Sequence, residues 1–578
     1  MSFEANVPNE EPLAAYAYSR KSLLNQGLAR HGFQSSWPLA LVLSLLVFFT
    51  TWVYVKHVPL GQPPDEWAHL SYIDDVTAGG PLIPEYGNST ILNSGHQNYL
   101  NHPPLYYSVM GIPGRIFHWD TTKSYWRYRT VSALMVAAGI FFWSLIALQW
   151  GLGPIRTVGI TLAVLAIPMF PYLAGSINND NLCYLGVAAF FYGVSVFPVN
   201  VRRGALFCAL GLTITLLTKA TGSLFLVVFI FAIALMQGRA SITFFKRKSV
   251  YLSAIAVVAI CSFYYLPTLF RYHTFFPAPG ILYQGYSAPE HPLTFFGFVK
   301  TFGGQMLSEL PVVLAGGDGS SAPISTRLVA LFYLMLASSA LAWLSFRPFS
   351  LPSTERRLSD AFLIALSATI IVHLLVCWHG YKTNGLFTGM QPRYYSYTLP
   401  GVFLFSFLDM FAVRRKSVLF FIFSLCAAVI AANVPARAAV DHYIQYRAAQ
   451  VARLTLPAGP LGPATTLPVT TTLEPVGYLE SVRIDGDQAI LSGWAVDAVD
   501  KEPPRALWVS INGHLLGTVQ PSTTRQDVAD VLGSVNAAMS GFLITVSGVH
   551  KNLSACDVNM AAEQDNGSLV ALVNRACR

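Results

Sequence analysis

The densest cluster of residues able to do chemistry is Pro63-Pro64-Asp65-Glu66-Trp67-Ala68-His69. Two prolines followed by Asp open a helix, with Asp65 as its N-cap and Glu66 in its first turn. Asp65 and His69 lie four residues apart and share a helix face. A capped helix at a membrane surface would account for both acids. The chemical alternative is a partly desolvated carboxylate acting as a general base. Asn101-His102-Pro103-Pro104-Leu105-Tyr106-Tyr107 reads either as a Pro-rich turn into an aromatic-flanked helix or as a histidine donating to a phosphate or sugar hydroxyl. Asn178-Asn179-Asp180-Asn181 is either a polar turn or a second carboxylate for the same substrate. Lys219 either snorkels to the interface or meets a phosphate. Arg393-Tyr394 is either an interfacial anchor or a phosphate clamp, Arg being the preferred bidentate partner of phosphate.

These residues sit among elements built for lipid. Hydrophobic residues make up 53% of the 578 and charged residues 11%, against roughly 25% charged in soluble proteins. The apolar residues gather in blocks of about 17–22, enough to cross a hydrocarbon layer about 30 Å thick. Such blocks fall near 38–56, 130–149, 157–174, 181–198, 204–218, 221–237, 249–268, 326–345, 359–379, 397–413 and 417–436. This predicts a polytopic α-helical membrane protein with about eleven transmembrane helices. With the N-terminus cytoplasmic, Arg156, Arg202, Arg203, Arg239, Lys246–Lys248, Arg347, Arg356, Arg357 and Arg414–Lys416 fall on the inside, as the positive-inside rule requires. Merging the two blocks within 204–237 would reverse every later loop and destroy that pattern. The polar start of the chain makes the first block a retained signal-anchor rather than a cleaved signal peptide.

The expected layout is a cytoplasmic tail (1–37), a membrane domain (38–436), a connecting segment with a Pro/Thr-rich linker (437–475) and a β-rich domain outside the cytoplasm (476–578). Long outside segments cover 57–129, 269–325 and 380–396, and the turns that carry Asp180 (between spans three and four) and Lys219 (between spans five and six) fall on the same side, so every residue singled out above lies on one face of the membrane. After the linker the apolar period shortens to strand type, in Ser481–Ile484, Ala489–Leu491 and Leu507–Ile511. Asn512-Gly513 before Leu515–Val519 signals a tight hairpin. An all-β sandwich over about 476–550 follows, with Trp494 in its core. Cys556 and Cys577 lie where an oxidising compartment permits a disulfide, which spacing alone does not settle. The net charge of +8 sits largely in short loops, and no Gly-rich phosphate loop, zinc-finger spacing or basic-aromatic array points to nucleic acid.

In order and loop placement, Pro63-Pro64-Asp65-Glu66 with His69, then His102-Pro103-Pro104-Leu105-Tyr106-Tyr107, then Asn179-Asp180, then Arg393-Tyr394 resemble the GT-C glycosyltransferase superfamily. The resemblance covers about 38–436 and is nearest to a bacterial membrane branch classed as a domain of unknown function. It implies a bundle of spans, a first outside loop with interfacial helices, and sugar transfer from a polyprenyl-phosphate donor with inversion. The acceptor would be a glycan, lipid or protein hydroxyl, in cell-surface glycan synthesis at the periplasmic face of a bacterial inner membrane. By position the family's essential acid falls on Asp65 or Glu66. Lys219 and Arg393 with Tyr394 would stabilise the departing lipid phosphate, and His69, His102 and Asp180 would orient substrates. Some members need a divalent metal; no ligand set for one is evident here, and no other cofactor is expected. The competing readings are a lipid-linked glycan transporter or flippase, a glycan polymerase or ligase, and a non-catalytic scaffold. Few ionisable residues lie within spans (His373 is one) and no internal repeat appears, against the transporter.

Overall fold

Apolar runs longer than about 18 residues satisfy every backbone group internally by forming helices, the only open-ended solution in lipid. The computed structural model of the chain describes residues 28–58, 60, 63–83, 90–92, 96–98, 102–121, 124–238, 246–277, 288–289, 291–310, 313–315, 320–322, 326–344, 354–385, 387, 389–408, 414–433, 452–455, 469–470, 476–499, 501–523, 525, 528, 532, 537, 540–550 and 552–577. Most of the N-terminal tail, Asn101, Arg239, Arg347, the middle of the second outside loop and most of the Pro/Thr-rich linker lie outside the described residues. Two compact units emerge, one of residues 1–314 with 321–439 and one of 315–320 with 440–578.

The first unit is helical. Among the described residues its helices, in chain order, are α1 (Leu28–His57), α2 (Glu66–Ala78), α3 (Leu105–Ile116), α4 (Tyr125–Gln149), α5 (Pro154–Leu165), α6 (Met169–Ala174), α7 (Asp180–Val196), α8 (Val201–Leu216), α9 (Ala220–Gln237), α10 (Lys248–Tyr272), α11 (Phe295–Glu309), α12 (Thr326–Leu344), α13 (Thr354–Asn384), α14 (Leu399–Phe407) and α15 (Arg414–Asn433). A 3-10 turn, Pro392–Thr398, leads into α14. Six stretches among the described residues are long and apolar enough to cross a membrane: Ser36–Lys56, Tyr125–Gln149, Ala220–Gln237, Lys248–Tyr272, Arg327–Leu344 and Arg356–Asn384. Shorter apolar helices are Pro154–Leu165, Asp180–Val196 and Lys416–Ala431. The block near 157–174 is not one helix as its hydropathy predicts. It breaks after Leu165 and resumes at Met169, where Pro168, lacking an N–H, serves as N-cap of α6. Among the described residues of the block near 397–413, α14 covers nine, preceded by the 3-10 turn.

Between spans the lipid removes the hydrophobic drive, so close backbone packing and aromatic contacts hold the bundle. The α7–α8 pair shows this at Gly193 and Gly211. A Cβ on Gly211 would fall 2.3 Å from Phe190 N, and one on Gly193 would fall 2.5 Å from Cys208 N. Phe191 of α7 packs on Phe229 of α9 at 4.8 Å and Phe362 of α13 at 5.6 Å between ring centroids. Such pairs contribute about 0.5–1.5 kcal/mol each beyond area burial.

The second unit is a β-sandwich. Its strands are β1 (Ala452–Thr455), β2 (Val469–Thr470), β3 (Gly477–Asp485), β4 (Gln488–Ala495), β5 (Ala506–Ile511), β6 (His514–Val519), β7 (Gly541–Ser547), β8 (Val558–Glu563), β9 (Leu569–Ala571) and β10 (Val573–Asn574). They form two sheets in the orders β6-β5-β8-β9-β2 and β10-β3-β4-β7-β1. Leu491, Ile544 and Val546 of one sheet bury against Val509, Val558 and Met560 of the other. The hairpin stands at Asn512-Gly513, both at positive φ (51° and 78°), as a two-residue primed turn requires. The expected limit near 550 is too short, because β8, after it, pairs between β5 and β9 in the middle of its sheet. Trp494 is partly buried beside Val496, Val528 and Ala537 and meets the Tyr478 ring at 5.3 Å. Cys556 and Cys577 form a disulfide.

Candidate functional site

Asp65 is the N-cap of α2 by position, but its side chain makes no capping bond. Its φ of 61° places it in the left-handed region, which costs an L-residue roughly 1–2 kcal/mol and which Asp tolerates better than most. The expected cap is therefore not made. The carboxylate instead pairs with the Arg393 guanidinium of the 3-10 turn, more than 300 residues away. Arg393 Nη1 also donates to Pro64 O at 3.4 Å, tying the Pro63-Pro64 turn to the same cation. Arg393 is almost fully buried, whereas the Asp65 side chain remains 30% exposed. Burial alone would lower the guanidinium's pKa, but the Asp65 charge overrides it and raises the value, so the cation persists.

Glu66, one residue on, faces the other way. Its Oε1 accepts from Arg129 Nε at 2.7 Å and from Ile177 N at 3.1 Å, and its Oε2 accepts from Arg129 Nη2 at 2.6 Å. Both side chains are fully buried. Arg129 also donates to Val58 O, just past the end of α1. This fork-to-fork pair fastens the start of α2 to α1 and α4. Of the two adjacent acids, Asp65 keeps solvent access and Glu66 has none.

The second cation, Lys219, is the N-cap residue of α9. It does not snorkel as an interfacial lysine would: it is buried and ion-paired with Asp180, the first residue of α7. Two bonds fix the backbone beside it. Leu105 N donates to Leu217 O at 3.0 Å, and Asn179 Nδ2 donates to Thr218 O at 3.1 Å. The glycine-mediated approach of α7 and α8 delivers both ends of this pair. Tyr394 joins the two ion pairs, with Lys219 Nζ 4.7 Å and the Arg393 guanidinium 5.2 Å from its ring centre. These are cation–π distances.

His69, buried on α2, shares a 3.0 Å hydrogen bond between its Nδ1 and the Tyr107 hydroxyl of α3. Its ring lies stacked 6.2 Å from His102, and Tyr107 stacks on Tyr72 at 3.8 Å. Burial holds both histidines below their ordinary pKa, with the Lys219 and Arg393 charges pushing the same way and Asp65 opposing. His102 falls to about 3. Both imidazoles are therefore neutral near neutral pH and can each donate and accept.

Asp65, His69, His102, Asp180, Lys219, Arg393 and Tyr394 thus converge from five separate segments, while Glu66 lies beneath them in a supporting role. The arrangement offers a carboxylate at the solvent side, two buried cations and two neutral histidines. That set suits an anionic group flanked by hydroxyls. Arg129, on which Glu66 depends, was not singled out in the sequence, because an Arg at the head of an apolar block reads as an ordinary flank. His373 joins the rim, with Nδ1 2.6 Å from the Tyr395 hydroxyl and its ring 5.5 Å from Tyr394. No group of three or more His, Cys, Asp and Glu positioned to hold a metal occurs among the described residues.

Residues 87–402 match the family described as "Predicted membrane protein (DUF2142)". No curated protein matches the chain. Among solved structures, ArnT from Cupriavidus metallidurans bound to undecaprenyl phosphate is similar at 14% identity and a TM-score of 0.45, over 71% of this chain and 78% of that one. ArnT in its apo state is similar at 14% identity and a TM-score of 0.33, over 72% and 81%. The archaeal oligosaccharyltransferase AglB from Archaeoglobus fulgidus, in complex with an inhibitory peptide and a dolichol-phosphate, is similar at 12% identity and a TM-score of 0.34, over 69% and 56%.

Proposed function

Given that this chain belongs to the DUF2142 family of predicted membrane proteins, we propose that it is a GT-C-type glycosyltransferase using a polyprenyl-phosphate-linked sugar. The observation that carries this reading is the pair of ion pairs joined across the Tyr394 ring. Two buried cations beside one solvent-reaching carboxylate match the charge that sugar transfer from a lipid phosphate develops. The donor's phosphate draws Arg393 and Lys219 from their carboxylate partners as it enters. Asp65, relieved of Arg393, takes the proton from an acceptor hydroxyl as that oxygen attacks the anomeric carbon. The bond from that carbon to the phosphate oxygen breaks, and the polyprenyl phosphate leaves with a second negative charge. Arg393 and Lys219 are aimed at that charge, the largest to appear in the transition state. Attack opposite the leaving phosphate inverts the anomeric centre.

In this reading His69 and His102 orient sugar hydroxyls, Asp180 positions Lys219, and Glu66 with Arg129 holds the helix that carries Asp65. The site opens on the periplasmic face of a bacterial inner membrane, and the acceptor is a cell-surface glycan, lipid or protein. The Cys556–Cys577 disulfide supports placing the C-terminal unit in an oxidising compartment. The test is transfer of radiolabelled sugar from synthetic polyprenyl-phosphate donors by the full-length protein, with the product's anomeric configuration read by NMR. Transfer with inversion is expected. No transfer from a broad donor panel, or release of a lipid diphosphate instead, overturns the reading.

A further inference from the structure

One carboxylate near this site has no role in the mechanism above. Phe298 and Phe302 of α11 bury against Cys377, Tyr381 and Met390, so α11 packs on α13 and on the 3-10 turn that carries Arg393. Glu309, the last residue of α11, thereby comes within electrostatic reach of Arg393. Its Oε1 accepts from Gln305 Nε2 at 2.8 Å. Its Oε2 is shut off from solvent yet has no hydrogen-bond partner among the described residues. Gln391, two residues before Arg393, carries another buried side-chain oxygen in the same condition. Folded proteins rarely leave such oxygens unmatched, because each forfeits its hydration without return.

An unmatched carboxylate oxygen calls for a donor. A cationic ligand is disfavoured here, because the Arg393 charge already reaches Glu309. A neutral hydroxyl meets no such repulsion. We propose that Glu309 is a substrate-binding residue whose Oε2 accepts a hydrogen bond from a sugar hydroxyl. The inference rests on the glycosyltransferase reading and extends it to sugar recognition. The hydroxyl belongs either to the sugar on the donor or to the acceptor, and the chemistry is the same for both. Burial raises the carboxyl's pKa, only partly offset by Gln305 and Arg393, which suits a group that recognises a neutral ligand.

The test titrates the full-length wild type, Glu309→Ala and Glu309→Gln in detergent with three probes: bare polyprenyl phosphate, a panel of polyprenyl-phosphate hexoses, and methyl hexosides. Thermal midpoints check that each variant is folded, and Glu309→Gln, which keeps the shape and an acceptor oxygen, stands in should Glu309→Ala fail to fold. Loss of a hydrogen bond to a charged group predicts roughly tenfold or greater weakening in Glu309→Ala, with a smaller loss in Glu309→Gln. That loss falls on the hexose donors if the hydroxyl is the donor's, or on the methyl hexosides if it is the acceptor's, while bare polyprenyl phosphate binds as before. Equal weakening of the bare lipid, or no weakening of either sugar ligand, overturns the assignment of Glu309 alone. If the wild type binds no hexose donor better than bare lipid and no methyl hexoside, the glycosyltransferase reading falls and this inference with it.

Discussion

A carboxylate held against a guanidinium is a poor base until something draws the guanidinium away, and Asp65 stands in that position. Asp65→Asn keeps the hydrogen bond to Arg393 and removes the proton acceptor, so the rate of transfer should fall by roughly a hundredfold to ten-thousandfold in a folded protein. Glu66 and Arg129 answer differently. Removing one partner of a buried ion pair costs about 3–5 kcal/mol, so Arg129→Met should lower the thermal midpoint sharply. An unchanged midpoint would contradict the fastening role of this pair. His102 sets a pH signature. Its pKa is lowered in the fold to about 3 from 6.5, so as pH falls from 6.5 the unfolded chain takes the proton first. Stability should therefore rise with pH from about 3 to about 6.5 and stay level above. In His102→Asn, thermal melts across that window should lose part of the slope. At this scale Asp65, Asp180, Lys219 and Arg393 were legible, since each is a polar residue next to an apolar block. Their pairing was not, because residues 39 or 328 apart in sequence leave no periodic trace. Glu309 went unremarked because nothing local distinguishes a helix-terminal acid from a solvated one.

Helix packing decides whether those side chains meet. Asp180 opens α7, and Lys219 follows the end of α8, so the distance between these two helices sets the ion pair. A side chain on Gly211 would strike the α7 backbone. Gly211→Val should force the helices apart, cost about 1–3 kcal/mol and weaken lipid-phosphate binding, although residue 211 touches neither charge. Preserved lipid-phosphate affinity in a destabilised Gly211→Val would contradict that coupling. The helices themselves were readable from hydropathy, since lipid demands long apolar runs. The break between α5 and α6 was not, because a hydropathy sum counts Pro168 as tolerable and ignores its missing N–H. In the sandwich, the Asn512-Gly513 turn was readable from two residues. The role of β8 was not, since strand order within a sheet depends on partners far along the chain.

The molecule as a whole combines a lipid-embedded helical unit with a disulfide-bearing β-sandwich. Closing a loop of about 20 residues stabilises a fold by roughly 2–4 kcal/mol, so reductant should lower the melting midpoint of the C-terminal unit in the intact protein. Cys556→Ser should remove that sensitivity, and sugar transfer should survive both treatments if the chemistry belongs to the helical unit. Transfer lost with the disulfide would place the sandwich in the reaction. In the proposed reaction Asp65, and not its neighbour Glu66, is the base of a lipid-phosphate-dependent sugar transfer. The most direct measurement is transfer from a synthetic polyprenyl-phosphate donor by reconstituted wild type, Asp65→Asn and Glu66→Gln, normalised to the folded fraction of each. Robust transfer is expected from the wild type, almost none from Asp65→Asn, and a substantial rate per folded molecule from Glu66→Gln. Full activity in Asp65→Asn would rule Asp65 out as the base.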